Sequence, residues 1–247
     1  MKKILITIIS IVSFSTCLFP LSSFNLSLSV PVGGSFPTFQ NNNKNLNNGI
    51  NYRPETAIEI GVLLKPKFNF EITNNHIISA GIELGYYRDT FQFDYDYNNI
   101  TVSQNDPDAL PVKTNNQIVH VFDSFNIGGT FEYQYLNFFC GIGLGFKIPL
   151  AGAYWYEETE KRLSLGLLYG AYRNAFIFIP YTKIFAGLDI GIINVSAYLN
   201  FDLPYVETRS ELTVDSATYS SASGKLSAVD LGVQISLNLD LFNGTKY

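Results

Sequence analysis

The chain has two histidines, His76 and His120, and the second stands in the stretch HVFDS with a serine at position 124. A histidine, a carboxylate and a serine are the residue types of nucleophilic hydrolysis. That chemistry requires the base within hydrogen-bonding reach of the nucleophile. In an alternating segment His120, Phe122 and Ser124 share one face and Asp123 lies on the other. Four residues along a strand separate His120 from Ser124 by about 13 Å, too far for a base to take the serine proton. His76 follows a Thr-Asn-Asn turn and reads as a turn or interface residue. The run Gly141-Ile-Gly-Leu-Gly145 has the glycines of a phosphate loop, but no helix pattern follows it, so the cradle is not expected. No His, Cys and carboxylate group has metal-ligand spacing. Neither a catalytic set, a cofactor site nor a metal site is expected.

The remaining chemistry-bearing residues fall in an ordered way. Glu59, Glu83, Glu132, Asp189, Asp202 and Asp230, with Lys147 and Lys183, occupy one face of successive alternating segments. The opposite faces carry apolar residues: Ile58 to Leu64 at even positions, Ile78 to Tyr86, Phe125 to Tyr135, Phe138 to Phe146, Ile184 to Ile192, Val195 to Leu203, and Leu231 to Leu241. Alternation of this kind is the signature of β-strands. Eight strands are expected, over 24–33, 56–72, 76–94, 118–135, 138–148, 177–192, 194–204 and 227–242. A ten-stranded arrangement is the alternative count.

The connections alternate between long and short: long after the first strand, TNN (73–75) after the second, then long, tight, long, tight, long. Such a chain has one end with tight turns and one with large loops. Transmembrane β-barrels are built this way. A soluble lipocalin-like barrel also has eight strands, but its apolar face points inward. The glycines discriminate. Gly61, Gly81, Gly85, Gly128, Gly141, Gly143, Gly145, Gly187, Gly191 and Gly232 all sit on the charged face. A soluble surface favours bulky polar residues there, whereas an eight-strand interior is just wide enough for side chains to fill. The charged face is therefore assigned to the lumen, as a polar network, and the apolar face to lipid. The central parts of the apolar rows hold neither Lys nor Arg, either of which would cost about 2–4 kcal/mol at the bilayer midplane. Tyr86 with Tyr87, Tyr133 with Tyr135, Tyr205 and Phe242 are expected in interfacial aromatic girdles.

Composition agrees. The 247 residues are 47% hydrophobic and only 15% charged, and 20 Phe and 16 Tyr argue against disorder. The N-terminal MKKILITIISIVSFSTCLFPLSS has the charged, apolar and small-polar order of a secretory signal. Residues 1–23 are assigned to a cleaved signal and 24–247 to the barrel. Lipidation at Cys17 is disfavoured by Phe14 and Thr16 before it. Cleavage removes Lys2 and Lys3, leaving 14 basic against 21 acidic residues and a net charge of −7, which excludes a nucleic-acid binder. Cys140 then remains alone, so no internal disulfide forms.

With alternating strands ending in VQISLNLDLF (233–242), the chain resembles the small outer-membrane β-barrels of the OmpA/OmpX type. The usual terminal aromatic is displaced here, since NGTKY follows Phe242. The resemblance implies residence in the outer membrane, contact with membrane lipid and a side-chain-filled lumen. It leaves a structural or adhesin-like role for the surface loops, toward a host or envelope macromolecule. A narrow ion pore and a lipid-modifying enzyme, the latter with its His and Ser near the outer rim, are the alternatives. The extended FQFDYDYNNITV (91–102) predicts that the third and fourth strands project as a hairpin above the membrane.

Overall fold

A computed structural model describes residues 21–41, 50–73, 75–97, 117–156, 159–172, 178–208, 211–214, 217–220 and 224–243. The elements in chain order are β1 (Leu21–Asn41), β2 (Ile50–Glu55), β3 (Ala57–Thr73), β4 (His76–Tyr97), β5 (Gln117–Tyr135), β6 (Phe138–Tyr156), β7 (Thr159–Leu163), the helix α1 (Leu165–Ala171), β8 (Ile179–Ile190), β9 (Ile193–Asp202), β10 (Glu211–Val214), β11 (Ala217–Ser220) and β12 (Gly224–Asn243). Antiparallel pairing runs β1–β3–β4–β5–β6–β8–β9–β12 and returns to β1. Eight strands close the ring, and no edge is left in the part that faces lipid, where an unpaired backbone group has no water to bond. The ten-strand alternative is thereby resolved. β2 and β7 are not ring members; they pair with the upper parts of β4 and β6, above the points where β3 and β8 begin.

The short connections share one end. Thr73 pairs with His76, Tyr135 with Phe138, and Ile190 with Ile193. Two of these turns use left-handed backbone, at Leu136 (φ 54°) and Gly191 (φ 78°).

Around the lower ring the apolar rows point outward. Leu28, Val62, Ile82, Ile127, Ile142, Ile184, Val195 and Ile235 are exposed, and their strand neighbours are buried or, at Gly81 and Gly141, half-buried. This is the reverse of a lipocalin-like barrel. On β5 the outward apolar row runs from Phe125 to Tyr135. Ten residue steps cover about 33 Å of strand, or about 25 Å along the axis at the usual tilt, which matches the apolar band of a membrane barrel.

Above that band the polarity inverts. On β4 the apolar residues are outward through Tyr86, but Phe91 and Phe93 are buried inside; on β5 Ile118 and Phe122 point inward, and on β12 Leu226 and Ala228 do. These residues join Tyr154, Leu163, Leu168, Tyr172, Ile179 and Val206 in one apolar core. Thr38, Gln40, Gln92 and Asp94 take the outer positions. A β-bulge helps on β6. Ser124 pairs with Pro149 but Asp123 pairs with Ala151, so Leu150 is an extra residue. One extra residue shifts every later side chain to the other face, which turns Tyr154 inward. The expected hairpin does project, with β4 and β5 paired as far as Asp94 and Gln117, and β1, β6 and β12 rise beside it as a cap around a shared apolar core. Tyr87 is corrected: it is buried in the lumen, and only Tyr86 joins the outer girdle.

A charge placed in each regime distinguishes them. Ile235→Arg, in the middle of the lipid-facing row of β12, is expected to cost about 2–4 kcal/mol of folding free energy in vesicles. Thr38→Arg, on the outer face of the cap, is expected to stay within about 0.5 kcal/mol. Equal losses in denaturant titrations of the two variants would place the cap inside the bilayer.

Candidate functional site

The lumen is the site the fold builds. Its glycines make room for rings that lie flat on the wall. Gly128 on β5 and Gly145 on β6 are directly paired. A Cβ at either would strike the Tyr181 hydroxyl, at 2.7 Å for Gly145. Gly33 on β1 and Gly232 on β12 are also paired, and a Cβ on either would meet the Tyr198 hydroxyl at 2.6 Å. Each tyrosine from β8 or β9 therefore reaches across to a glycine pair on neighbouring strands. Gly143 is different, since a Cβ there would make only ordinary contact with Lys183.

The rings and charges form two levels. In the lower one, Glu83 of β4 is held by both Lys65 of β3 and Lys183 of β8. Lys67 bonds Glu132 at 3.0 Å. Tyr181 donates to Glu83 at 3.4 Å and accepts from Asn126 at 3.2 Å. In the upper level Lys147 of β6 binds Asp89 of β4, Asp202 of β9 at 2.9 Å and, at 3.7 Å, Asp230 of β12. Its ammonium also lies 4.3 Å from the centre of the Tyr87 ring. Asn200 donates to Asp202 at 2.9 Å and Asp230 at 2.7 Å, and Tyr87 donates to Glu59 at 3.2 Å. All of these charged side chains are buried.

Of the eight residues assigned to the lumen network from sequence, Glu83, Glu132 and Lys183 fall in the lower level and Glu59, Lys147, Asp202 and Asp230 in the upper. Asp189 belongs to neither. It stands at the turn end, accepting from Gln134 at 3.2 Å and from the Gly191 backbone N–H at 3.0 Å, because its strand ends one residue later. Lys65, Lys67, Asp89, Tyr181 and Tyr198 are network members the sequence reading did not assign. Lys65 and Lys67 share the alternating row of Glu59. Asp89 continues the row of Glu83, and Tyr181 that of Lys183, so period 2 alone could have found them.

Space between the levels is small. Cavities of about 20 Å³, beside Tyr87, Lys147 and Tyr181, and about 10 Å³, beside Lys67 and Glu132, each have room for about one water. His120 and Ser124 both face inward but are engaged separately. His120 lies in the cap core, its Nδ1 3.0 Å from the Tyr172 hydroxyl, with the Tyr154 ring beside it. Burial lowers its pKa to about 3. Ser124 donates to Asp89 at 3.2 Å. His76 sits by its turn, 2.6 Å from the Tyr133 hydroxyl and against the Tyr135 ring, in the aromatic rim of the short-turn end. Cys140 is exposed on the lipid-facing row. On the outside, Arg88 bonds Asp123 at 2.7 Å just above the apolar band. Residues 42–49, 98–116, 157–158 and 244–247, which include most of the polar loop tips, Glu157, Glu158 and Tyr247, lie outside the described residues.

No family model and no curated protein sequence matches this chain. Solved structures do. The outer membrane protein OprG from Pseudomonas aeruginosa aligns at 7% identity over 89% of this chain and 97% of its own, with a TM-score of 0.39. AlkL, an outer membrane protein solved in lipid bilayers, aligns at 10% over 92% and 95%, with a TM-score of 0.40. The outer membrane protease OmpT from Escherichia coli aligns at 10% over 90% and 98%, also at 0.40. Scores this low speak to neither ligand nor activity. The closed ring, the apolar band of bilayer height and the polar sealed lumen define the class on their own: this is a membrane-spanning β-barrel with the eight-stranded architecture of the small outer-membrane barrels.

Two measurements test the interior. Lys147→Met leaves a group of buried carboxylates without their cation and is expected to cost about 3–5 kcal/mol, with part of the loss recovered in Lys147→Met/Asp89→Asn. Unfolding titrations showing a near-neutral single variant would mean the upper level is hydrated. For His120, the unfolded side chain takes up a proton near pH 6.5 and the folded one only near pH 3. Its contribution to stability is complete above pH 6.5 and falls as the pH drops through that range. Between pH 7 and pH 5 the wild type is expected to lose about 2 kcal/mol more than His120→Gln, and parallel pH profiles would contradict the burial.

Proposed function

We propose that the chain is a non-conducting barrel of a bacterial outer membrane, and that it acts through contacts made by its long-loop end. Residues 1–23 would direct export and be removed. The observation that carries the reading is the cap. The wall does not stop at the membrane surface: β1, β4, β5, β6 and β12 continue above it around an apolar core, a platform from which the long connections would depart. A channel would have no use for a platform cored by Phe91, Phe122, Tyr154 and Tyr172 across its mouth. The expected partner is a host or envelope macromolecule, met by polar loops on an acidic protein. Membrane lipid is the only other contact expected.

The narrow ion pore remains the competing reading, favoured by the Lys and Glu side chains that line the lumen. The detergent-folded chain in planar bilayers is expected to give no stable conductance steps, and reproducible steps would replace the contact reading with the pore. Replacing residues 98–116 by a short Gly-Ser connection is expected to leave heat-modifiable gel mobility intact while abolishing adhesion of cells displaying the protein to a matrix-coated surface. Adhesion unchanged by exchange of each long connection in turn would refute the contact role.

A further inference from the structure

The lumen is not electrically balanced. Its buried ionic side chains are six carboxylates (Glu59, Glu83, Asp89, Glu132, Asp202, Asp230) and four ammoniums (Lys65, Lys67, Lys147, Lys183), among the described residues. The lumen as a whole is two negative charges in excess, and the excess lies in the upper level, where four carboxylates share Lys147 alone and three are left over. Buried charge without a partner is costly. The lower level has the opposite balance, three lysines to two glutamates, so it cannot supply a spare carboxylate but holds its cations some residues away along the wall.

A second observation falls at the same place. Four buried oxygen atoms there have no hydrogen-bond partner: Glu59 Oε1, Asp230 Oδ1, Asn200 Oδ1 and Ser35 Oγ. The pairing register brings their residues together. Ser35 on β1 is opposite Asp230 on β12, which is opposite Asn200 on β9. Glu59 on β3 is opposite Gly33, two residues from Ser35 on the same inward row. Two of these residues are neutral, so the unused oxygens are not merely a restatement of the acidic cluster. Glu59, Asp202 and Asp230 can each place a carboxylate oxygen within 4.8 Å of the others. Opposed ligands of a cation bound at 2.3–2.6 Å stand about 5 Å apart.

We propose that this rung of the barrel binds one Ca2+, with Glu59, Asp202 and Asp230 as its carboxylate ligands and Asn200 and Ser35 supplying neutral oxygens. The donor set is all oxygen, which selects a hard cation. The free space beside Asn200 is about 20 Å³, too little for the water shell that Mg2+ keeps, which favours the larger ion. A dication would cancel the two surplus charges of the lumen and tie β1, β3, β9 and β12 together at the level where the lumen passes from polar to apolar.

The site is enclosed, so the ion enters during folding. The full chain is folded from denaturant into detergent with millimolar Ca2+, with Mg2+, or with EDTA, and bound metal is measured after a chelator wash. The Ca2+ sample is expected to carry a single ion per folded chain. At the denaturant concentration that half-unfolds the EDTA sample, Ca2+ is expected to lower the unfolded-to-folded ratio about tenfold. Glu59→Gln/Asp230→Asn removes two like charges, so it folds in EDTA and is expected to carry no Ca2+. Glu132→Gln, in the lower level, is expected to keep the ion. A folded wild type without bound metal, which would mean that protons shared among the carboxylates balance the charge, overturns the proposal. So does retention of Ca2+ by the double variant, or occupancy by Mg2+ in preference to Ca2+.

Discussion

A ring of eight strands encloses a lumen only as wide as the side chains that line it, and most of the interior follows from that limit. The ring has to close because a strand edge in hydrocarbon leaves N–H and C=O groups unbonded. Once it closes, each inward residue competes with residues on the facing wall. The Gly128–Gly145 and Gly33–Gly232 pairs are the concession: two adjacent strands give up their side chains so that Tyr181 or Tyr198 can lie across both. Glycine weakens a strand. Here the tyrosine ring covers the bare backbone and its hydroxyl is spent inside the polar network, so the loss in strand propensity is offset by packing and hydrogen bonding.

The second constraint is that the medium outside the wall changes along its length. Where the outside is lipid, the apolar residues face out and the lumen holds charges whose ion pairs cross between strands: Lys147 of β6 meets Asp89, Asp202 and Asp230 of β4, β9 and β12. Where the outside is water, the apolar residues face in. No separate domain is needed for the change. β4 passes from Tyr86 outward to Phe91 inward through Arg88, Asp89 and Thr90, and the Arg88–Asp123 pair marks the level of the change on the outer surface. β6 uses the bulge at Leu150 for the same purpose.

Much of this was legible in the residue pattern. Period 2 located all eight ring strands, and the alternation of turn lengths placed both ends. The glycine row told inside from outside. The cap was missed for a specific reason. The apolar parity of the chain switches near Asp89 on β4 and near Asp123 on β5; the expected strands 76–94 and 118–135 run through the switch, but the alternation alone does not say that the apolar residues beyond it turn inward to meet in one core. FQFDYDY (91–97) shows the switch openly, with aromatics at odd positions after a run at even ones. The bulge at Leu150 leaves no such trace, which is why β6 reads as ending at 148 when it continues to Tyr156. The identity of ion partners was not legible, because pairing across a lumen depends on the relative height of strands far apart in sequence, and alternation carries no information about height.

The cap also decides how much of the long-loop end is free to vary. The connection from β6 to β8 is long in sequence, yet it is largely committed to structure. β7 extends the wall beside β6, and α1 inserts Leu168, fully buried, into the same core as Phe91 and Phe122. Tyr172 then forms a bridge to Thr208, whose N–H bonds the Gly224 carbonyl at the start of β12. A substitution at Leu168 or Tyr172 is therefore a change in the platform, felt by every strand that reaches it.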